Sequence, residues 1–304
     1  MQRQLIANWR QLFKEELLRG EFLLQPNLAA GIPSQLLSIL KGYDQTPSAA
    51  PDLNIDVKSY DYDGNEYSDF GQSETQETVV AVIPLKGVMT KYGTYYSYGA
   101  VDIAQIITEA ANMETVSGIV LDIDSGGGST AAIPPLEQSI LYAKSQGKVT
   151  IAHGDTACSA AYWIAALCDY IFANNTLNST FGSIGVMIQF YSYQKYFEQL
   201  GIQYHEIYAD QSGQKNKLFR DAEEGNYDPI KADLLNPLAV MFQNHVRTAR
   251  TGKLKEATDG ILSGRTYTGS TNVDIGLADQ IGTLSEAIKL AANLSIAKDF
   301  INNY

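Results

Sequence analysis

The residues best suited to chemistry in this sequence lie between Lys148 and Trp163, where a strand pattern changes into a helix pattern. The β-branched run Val149–Ile151 predicts a buried strand, and a helix pattern follows Ser159. A side chain at the start of a helix lies beside unpaired backbone N–H groups and the positive end of the helix dipole. Because that environment suits a nucleophile, we predict that Ser159 attacks a substrate.

A second strand–turn–helix unit precedes this one and carries a run of glycines. Residues 118–124 (GIVLDID) predict a strand, and Ser125 and the glycines 126–128 follow it. A glycine run has no side chains, so its backbone N–H groups can approach a ligand or a developing oxyanion closely. We predict that the loop from Gly126 to Gly128 holds the oxyanion that forms when Ser159 attacks.

No local motif identifies the base that would activate Ser159, since the flanking ACSAA lacks the Gly-x-Ser-x-Gly pattern of α/β-hydrolases. The chain has three histidines, for each of which a structural role is the default expectation: His153, His205 and His245. A Ser–His–acid triad stays open as an alternative. The other common base is a lysine whose pKa is lowered by burial. Lys215 and Lys217 are candidates because they follow residues 203–209 (QYHEIYA), whose alternation predicts a strand.

The composition limits the class of partner. The chain has 304 residues, of which 45% are hydrophobic, enough for an α/β core and a smaller appendage. A net charge of −12 argues against nucleic acid or an anionic membrane as the main partner.

With two cysteines and no zinc-like spacing, we predict no metal, no cofactor and a reduced, cytoplasmic compartment. No apolar run approaches the ~18 residues of a membrane span, and early charged residues exclude a signal peptide.

The sequence divides into three predicted parts. Residues 1–41 form a helical N-terminal extension, with an amphipathic helix over 2–19 and a second helical pattern over 26–41. Residues 42–77 form an acidic linker or hairpin, in which nine acidic residues face one lysine and Asp63-Gly64 marks a turn. From residue 78 to residue 304, strand patterns alternate with helix patterns. This alternation predicts a largely parallel sheet covered by helices.

This last part contains six motifs, which are, in order, IPLKGVM, GIVLDIDSGGG, ACSAAYWIA, FGSIGV, GIQYHEIYA with a following lysine, and RTYTGSTNVDIGLAD. Together they resemble the signal peptide peptidase A family of serine–lysine peptidases. Each motif alone is a weak signal, but all six occur in the family's order. The resemblance extends over residues 78–292 and is greatest to the phage and prophage branch, which includes capsid-assembly and head-maturation proteases.

The resemblance implies a fold, an activity and a site. The fold is the α/β Clp-protease/crotonase type, built from stacked ββα units, and the activity is hydrolysis of peptide bonds by a serine endopeptidase. Ser159 matches the nucleophile and Lys215 the general base, while Gly126 and Gly127 match the glycines that donate N–H groups to the oxyanion. The resemblance also implies a ring-shaped homo-oligomer whose active sites lie between subunits, acting on peptides or proteins such as phage capsid proteins.

The sequence departs from the family's pattern in three places. Asp124-Ser125 stands where the family has Ser-Pro, and Ala160-Ala161 replaces the Gly-Gly of bacterial members. The loop that carries the lysine is about two residues longer than the loop in the family's pattern, which leaves Lys217 as an alternative base.

Two other classes of function stay open. A non-catalytic capsid or scaffold protein could retain the peptidase fold. A nucleotide-binding enzyme is the other class, because Gly126-x-Gly128-x-x-Ala131 after a strand fits a dinucleotide fingerprint. That fingerprint lacks the acidic residue expected at the end of the next strand.

Overall fold

The computed structural model describes residues 21–24, 55–67, 78–93, 97–190, 192 and 194–302. The strands of these residues are, in chain order, β1 (Glu21–Leu24), β2 (Lys58–Tyr60), β3 (Glu66–Tyr67), β4 (Val79–Lys86), β5 (Val116–Ser125), β6 (Gly127–Ser129), β7 (Val149–Cys158), β8 (Tyr170–Ala173), β9 (Thr180–Gly182), β10 (Met187–Ile188), β11 (Thr266–Thr268) and β12 (Gln280–Ile281). The α-helices are α1 (Ala100–Asn112), α2 (Ile133–Ser145), α3 (Ala160–Leu167), α4 (Gln194–Gln199), α5 (Lys217–Glu223), α6 (Asp228–Ile230), α7 (Asn236–Ala249), α8 (Thr271–Asp274) and α9 (Leu284–Asn302). A π-helical stretch, Lys231–Leu235, joins α6 to α7.

The larger sheet is parallel through its middle. Its strand order is β11-β9-β7-β5-β4-β2-β3, with β8 also beside β7 and β12 beside β8. β4, β5, β7 and β8 run parallel to one another, and β9 continues beside the far end of β7 in the same sense. Most residues of these strands are buried, as expected where helices cover both faces of a sheet.

The two faces of the sheet carry separate cores. Alternate residues of β4 point to opposite faces, so Ala81 and Ile83 join the core formed with α1, α2 and α3. Val80 and Val82 belong to the other core, which α9 covers with Ala287, Ile288, Ala291 and Ala292. Helices on both faces of a mostly parallel sheet define an α/β fold, and the predicted fold class is confirmed.

The hairpin predicted around Asp63-Gly64 is present. β2 and β3 pair antiparallel, and Gly64 has φ +84°, a conformation that glycine adopts without strain. β2 also pairs with β4, so the hairpin extends the edge of the larger sheet. The helices predicted over residues 2–19 and 26–41 lie outside the described residues. Between them the structure describes β1, and the division of the chain at residues 41 and 77 stays a prediction.

The strand predicted over residues 203–209 is wrong. Residues 202–209 have no regular secondary structure, and no strand among the described residues pairs with them. Tyr204 is 73% exposed and Ile207 is 94% exposed. The alternating pattern fits an extended backbone, but a strand also needs a neighbour that satisfies its N–H and C=O groups. Within one copy of the chain the described residues supply no such neighbour.

None of the helices in the described part of the chain has the length and the apolar character that a bilayer-spanning helix needs.

Candidate active site

Ser159 lies at the junction where β7 ends and α3 begins. Its backbone has φ +56° and ψ −121°, a conformation that residues with side chains rarely adopt. The residue is 1% exposed, and its Oγ finds no hydrogen-bond partner among the described residues. A serine held on a strained strand-to-helix turn with an unengaged hydroxyl has the geometry of a nucleophile.

The backbone of Ser159, unlike its hydroxyl, is fully engaged. Its N–H donates to the carbonyl oxygen of Gly182 at 2.8 Å, and its own carbonyl accepts from Trp163 N–H at 3.0 Å in the first turn of α3. α3 is anchored in turn, because Tyr162 Oη donates to the carbonyl of Leu277 at 2.9 Å. These bonds hold the turn in its unusual conformation while leaving Oγ available.

The predicted glycine turn lies beside the end of β7 that carries Ser159. Ser125 of β5 pairs with Ala157 of β7, so the chain enters Gly126 next to the last residues of β7. Gly127 has φ +100°, which requires glycine. A side chain at Gly128 would place its Cβ 1.9 Å from the carbonyl oxygen of Met89, so this position also admits only glycine. The structure therefore brings the predicted nucleophile and the predicted oxyanion loop to neighbouring strand ends.

Ser125 is a residue of this site that the sequence argument did not identify. Its Oγ donates to the carbonyl of Gly87 at 2.5 Å and accepts from Gly127 N–H at 3.1 Å. The hydroxyl thus ties the glycine turn to the loop after β4 and engages one of the two predicted oxyanion donors. A serine immediately before a glycine run is the available sequence signal, because a side-chain oxygen there can accept a nearby N–H.

A second turn lies on the other side of Ser159. Cys158 pairs with Gly182 of β9, and Ser183 follows with φ +52°. Ser183 is buried, and its N–H donates to the carbonyl of Arg265 at 2.9 Å. The neighbouring thiol is no rival nucleophile, because burial raises the pKa of Cys158 to about 12.

The structure does not bring either candidate lysine to Ser159. Lys215 is exposed in a turn in which its N–H donates to the carbonyl of Ser212 at 2.9 Å. Lys217 Nζ donates to both carboxylate oxygens of Asp221, at 2.7 and 2.6 Å. Ser159 Oγ has no hydrogen-bond partner among the described residues, so these residues place no base on it within one copy of the chain.

The histidines have other contacts. His153 is buried, with Nδ1 3.4 Å from Asp122 Oδ1 and Nε2 3.2 Å from Asn174 Oδ1.

His245 stacks on the ring of Trp163 with centroids 4.5 Å apart, and its Nε2 lies 3.0 Å from the carbonyl oxygen of Trp163. Burial lowers the pKa of His245, while the bond to that carbonyl acts in the opposite direction. His205 lies in the exposed segment 202–209, and none of the three bonds to Ser159 Oγ.

The site has no arrangement typical of a metal or a dinucleotide. Within the described residues, no group of three or more His, Cys, Asp or Glu side chains could hold a metal ion. The glycine turn runs into β6 and a short 3₁₀ turn, Thr130–Ala132, before α2 begins. A dinucleotide fingerprint instead opens directly into a helix whose N-terminus receives the pyrophosphate.

Comparison with known proteins points to peptidases. The family model described as peptidase family S49 matches residues 142–298, just over half of the chain, a range that includes Ser159 and Lys215. The chain is 25% identical over 219 residues to Protease 4 of Haemophilus influenzae, covering 71% of this chain and 34% of that protein. It is 28% identical over 221 residues to the head-tail preconnector protein GP5 of Enterobacteria phage P21, covering 70% and 42% respectively.

The chain thus spans between a third and a half of the length of these two curated relatives. Among solved structures, it is similar to a mutant of the 1510-N membrane-bound stomatin-specific protease, at 15% identity. That alignment covers 70% of this chain and 84% of the other, with a TM-score of 0.45.

Proposed function

Because the chain belongs to peptidase family S49, in agreement with the predicted resemblance, we propose that it is a serine endopeptidase that uses a Ser–Lys dyad. The observation that carries the proposal is the state of Ser159: buried, strained and with an unpartnered Oγ, next to a glycine turn. In this proposal Ser159 is the nucleophile and Lys215 the general base. Gly126 and Gly127 donate their N–H groups to the oxyanion.

The proposed reaction proceeds through an acyl-enzyme. Neutral Lys215 Nζ takes the proton of Ser159 Oγ, and Oγ attacks the peptide carbonyl carbon. The tetrahedral intermediate collapses as the C–N bond breaks and Lys215 gives its proton to the leaving amine. Water then attacks the ester with the same lysine as base, releasing the acid and restoring Ser159. Removing one oxyanion donor from such a site costs about 2.7–4 kcal/mol of transition-state stabilisation.

The lysine would come from a neighbouring copy of the chain. Three features of the described residues support this: Ser159 Oγ has no hydrogen-bond partner, Lys215 is exposed, and the mostly exposed residues 202–209 pair with no strand. A segment that pairs with no strand of its own copy can pair with a second copy. A contact in which one surface binds a different surface of the next copy closes into a ring when the rotation allows. We therefore include a ring-shaped homo-oligomer in the proposal.

The proposed substrates are peptides or proteins. The similarity to a head-tail preconnector protein supports phage capsid proteins as one source of substrate, encountered in the cytoplasm of a bacterial host. That similarity also favours a second candidate, a capsid or scaffold protein that retains the fold without catalysis. The two candidates differ in whether Ser159 reacts.

Hydrolysis of fluorogenic peptides by the purified chain and three variants tests the proposal. We expect Ser159→Ala and Lys215→Ala each to lower kcat/KM by about a thousandfold or more, because loss of a nucleophile or base removes the covalent pathway. Lys217→Ala is the matched control and should retain activity, since its ammonium already pairs with Asp221. Loss of activity in Lys217→Ala but not in Lys215→Ala would move the base to Lys217. Equal activity in Ser159→Ala would contradict the proposed nucleophile.

A further inference from the structure

A short strand from the N-terminal part of the chain lies between two strands of the candidate active site. β1 is the middle strand of a three-stranded sheet with the order β10-β1-β6. It runs antiparallel to both neighbours, with Phe22 opposite Ser129 on one side and opposite Met187 on the other. Its partners are more than a hundred residues away in the sequence, so this pairing is a tertiary contact.

Both neighbours of β1 continue directly from the turns that flank Ser159. β6 follows the glycine turn at Gly126, and α3, which begins after Ser159, packs against it. β10 follows the loop after Gly182, whose carbonyl accepts the N–H of Ser159. β1 therefore bridges two strands that both continue from the surroundings of the proposed nucleophile.

β1 runs toward the glycine turn that lies beside Ser159. Its first residue, Glu21, lies opposite Ile188 of β10, and its last residue, Leu24, lies opposite Gly127 of β6. The chain thus runs toward the glycine turn as it passes from Glu21 to Leu24. A peptide bound in this way would lead its following peptide bond toward Ser159.

β6 and β10 are not paired with each other, and β1 is the strand that joins them among the described residues. Without β1, each would present unpaired N–H and C=O groups to the other across a gap one strand wide. Such a gap accepts an extended peptide by backbone hydrogen bonds, which places few demands on the side chains of that peptide.

From these contacts we propose that Glu21–Leu24, which lies in the gap between β6 and β10, is an intramolecular competitor that excludes an extended peptide substrate from this gap. The inference rests on the proposed peptidase function. It assigns a role to the N-terminal part of the chain, which must leave the gap before another peptide enters.

Proline substitutions in β1 test this inference. The N–H groups of Phe22 and Leu23 point to opposite sides of the strand, so Phe22→Pro together with Leu23→Pro removes a hydrogen bond to each neighbour. Glu66→Pro is the matched control, because Glu66 lies in β3, a short strand at the end of the larger sheet. Circular dichroism checks that all variants retain the fold.

The first readout does not require catalysis. In a Ser159→Ala background, binding of a fluorescein-labelled peptide with the sequence of residues 19–26 (RGEFLLQP) is followed by anisotropy. We expect the double proline variant to bind this peptide about tenfold more tightly or better, because the competing segment has been released. The Glu66→Pro protein should bind like its parent. Equal affinity in the double proline variant and its parent would overturn the inference.

The second readout separates this inference from the proposed function. With Ser159 intact, the double proline variant should hydrolyse fluorogenic peptides with a lower KM and an unchanged kcat. If no variant hydrolyses peptide while the double proline variant still binds it more tightly, the proposed catalysis fails and the gap remains a peptide site. If hydrolysis occurs but KM is the same with and without the prolines, the intramolecular competitor is contradicted and the peptidase stands.

Discussion

Ser125 Oγ accepts the N–H of Gly127 at 3.1 Å and donates to the carbonyl of Gly87, so one hydroxyl fixes the glycine turn beside Ser159. In the state described, the Gly127 N–H is therefore engaged by a side chain. The same N–H is a proposed oxyanion donor, so this hydroxyl holds the donor in place before an oxyanion forms. Ser125 is accordingly a positioning residue: it sets the direction in which the glycine N–H groups point.

Replacing Ser125 by Ala is expected to lower kcat about tenfold with little change in KM, since a misdirected oxyanion donor weakens binding of the transition state and not of the substrate. Steady-state hydrolysis of a fluorogenic peptide measures both constants. Ser139→Ala is the control, because Ser139 is also a buried serine whose hydroxyl donates to a backbone carbonyl, that of Leu136 in α2. A rise in KM with unchanged kcat would contradict the positioning role.

The backbone conformation of Ser159 predicts that glycine is tolerated better than alanine at this position. Its φ of +56° suits glycine better than alanine, so Ser159→Gly should be more stable than Ser159→Ala by about 1 kcal/mol, with both variants inactive. Chemical denaturation measures the difference in the free energy of unfolding. At Ser139, inside α2, the order should reverse, because glycine destabilises a helix interior by about 1 kcal/mol relative to alanine. Finding Ser159→Gly less stable than Ser159→Ala would show that the turn is not strained.

Short-range patterns predicted the parts of the site that depend on neighbours in sequence. The apolar runs of β4, β5 and β7 indicated buried parallel strands, and the residue order from β7 to α3 indicated the turn at Ser159. β1 gave no such signal, because a four-residue strand is defined by partners more than a hundred residues away. The strand predicted over residues 203–209 failed for the converse reason: its alternating pattern fits a strand, but the described residues of one copy supply no partner strand.

A buried ion pair predicts how stability depends on pH. The Asp279 carboxylate, 6% exposed, bonds to Nη1 and Nη2 of Arg250, both at 2.9 Å, and to Lys253 Nζ at 2.6 Å. Burial alone raises the pKa of Asp279, but the hydrogen bonds from Arg250 and Lys253 outweigh it and hold this pKa below its usual value. The folded chain therefore binds fewer protons at this site than the unfolded chain does. The stability that Asp279 contributes is present above the unfolded pKa of about 3.9 and is lost as the pH falls below it.

Asp279→Asn tests this dependence. The variant should lose about 3–5 kcal/mol of unfolding free energy at neutral pH, because Arg250 is left buried without its charge partner. Its unfolding free energy should also fall less steeply than that of the parent between about pH 5 and pH 2, measured by denaturation at a series of pH values. Asp259→Asn is the control, since Asp259 pairs with Arg265 on an exposed surface. Parallel pH profiles for the parent and Asp279→Asn would contradict this account.

The proposed assembly predicts complementation between two inactive variants. Ser159→Ala and Lys215→Ala are each expected to be inactive, but when co-expressed they should recover activity if the lysine of one copy serves the serine of the next. In a randomly mixed ring, about a quarter of the contacts would pair an intact serine with an intact lysine. Size-exclusion chromatography with mass analysis of differently tagged copies establishes that mixed rings form. Mixed rings without activity would mean that the dyad forms within one chain.

The most direct test of the central claim, that Ser159 is a catalytic nucleophile, is labelling of the purified chain with a fluorophosphonate probe and mapping of the adduct by mass spectrometry. The probe reacts with an activated serine hydroxyl and does not depend on knowledge of the substrate. Ser159 should carry the adduct, Ser159→Ala should carry none, and Ser183→Ala should label like the parent, since the neighbouring turn supplies a second buried serine with positive φ. An adduct on Ser183, or no adduct on a folded chain with or without the proline pair in β1, would contradict the claim.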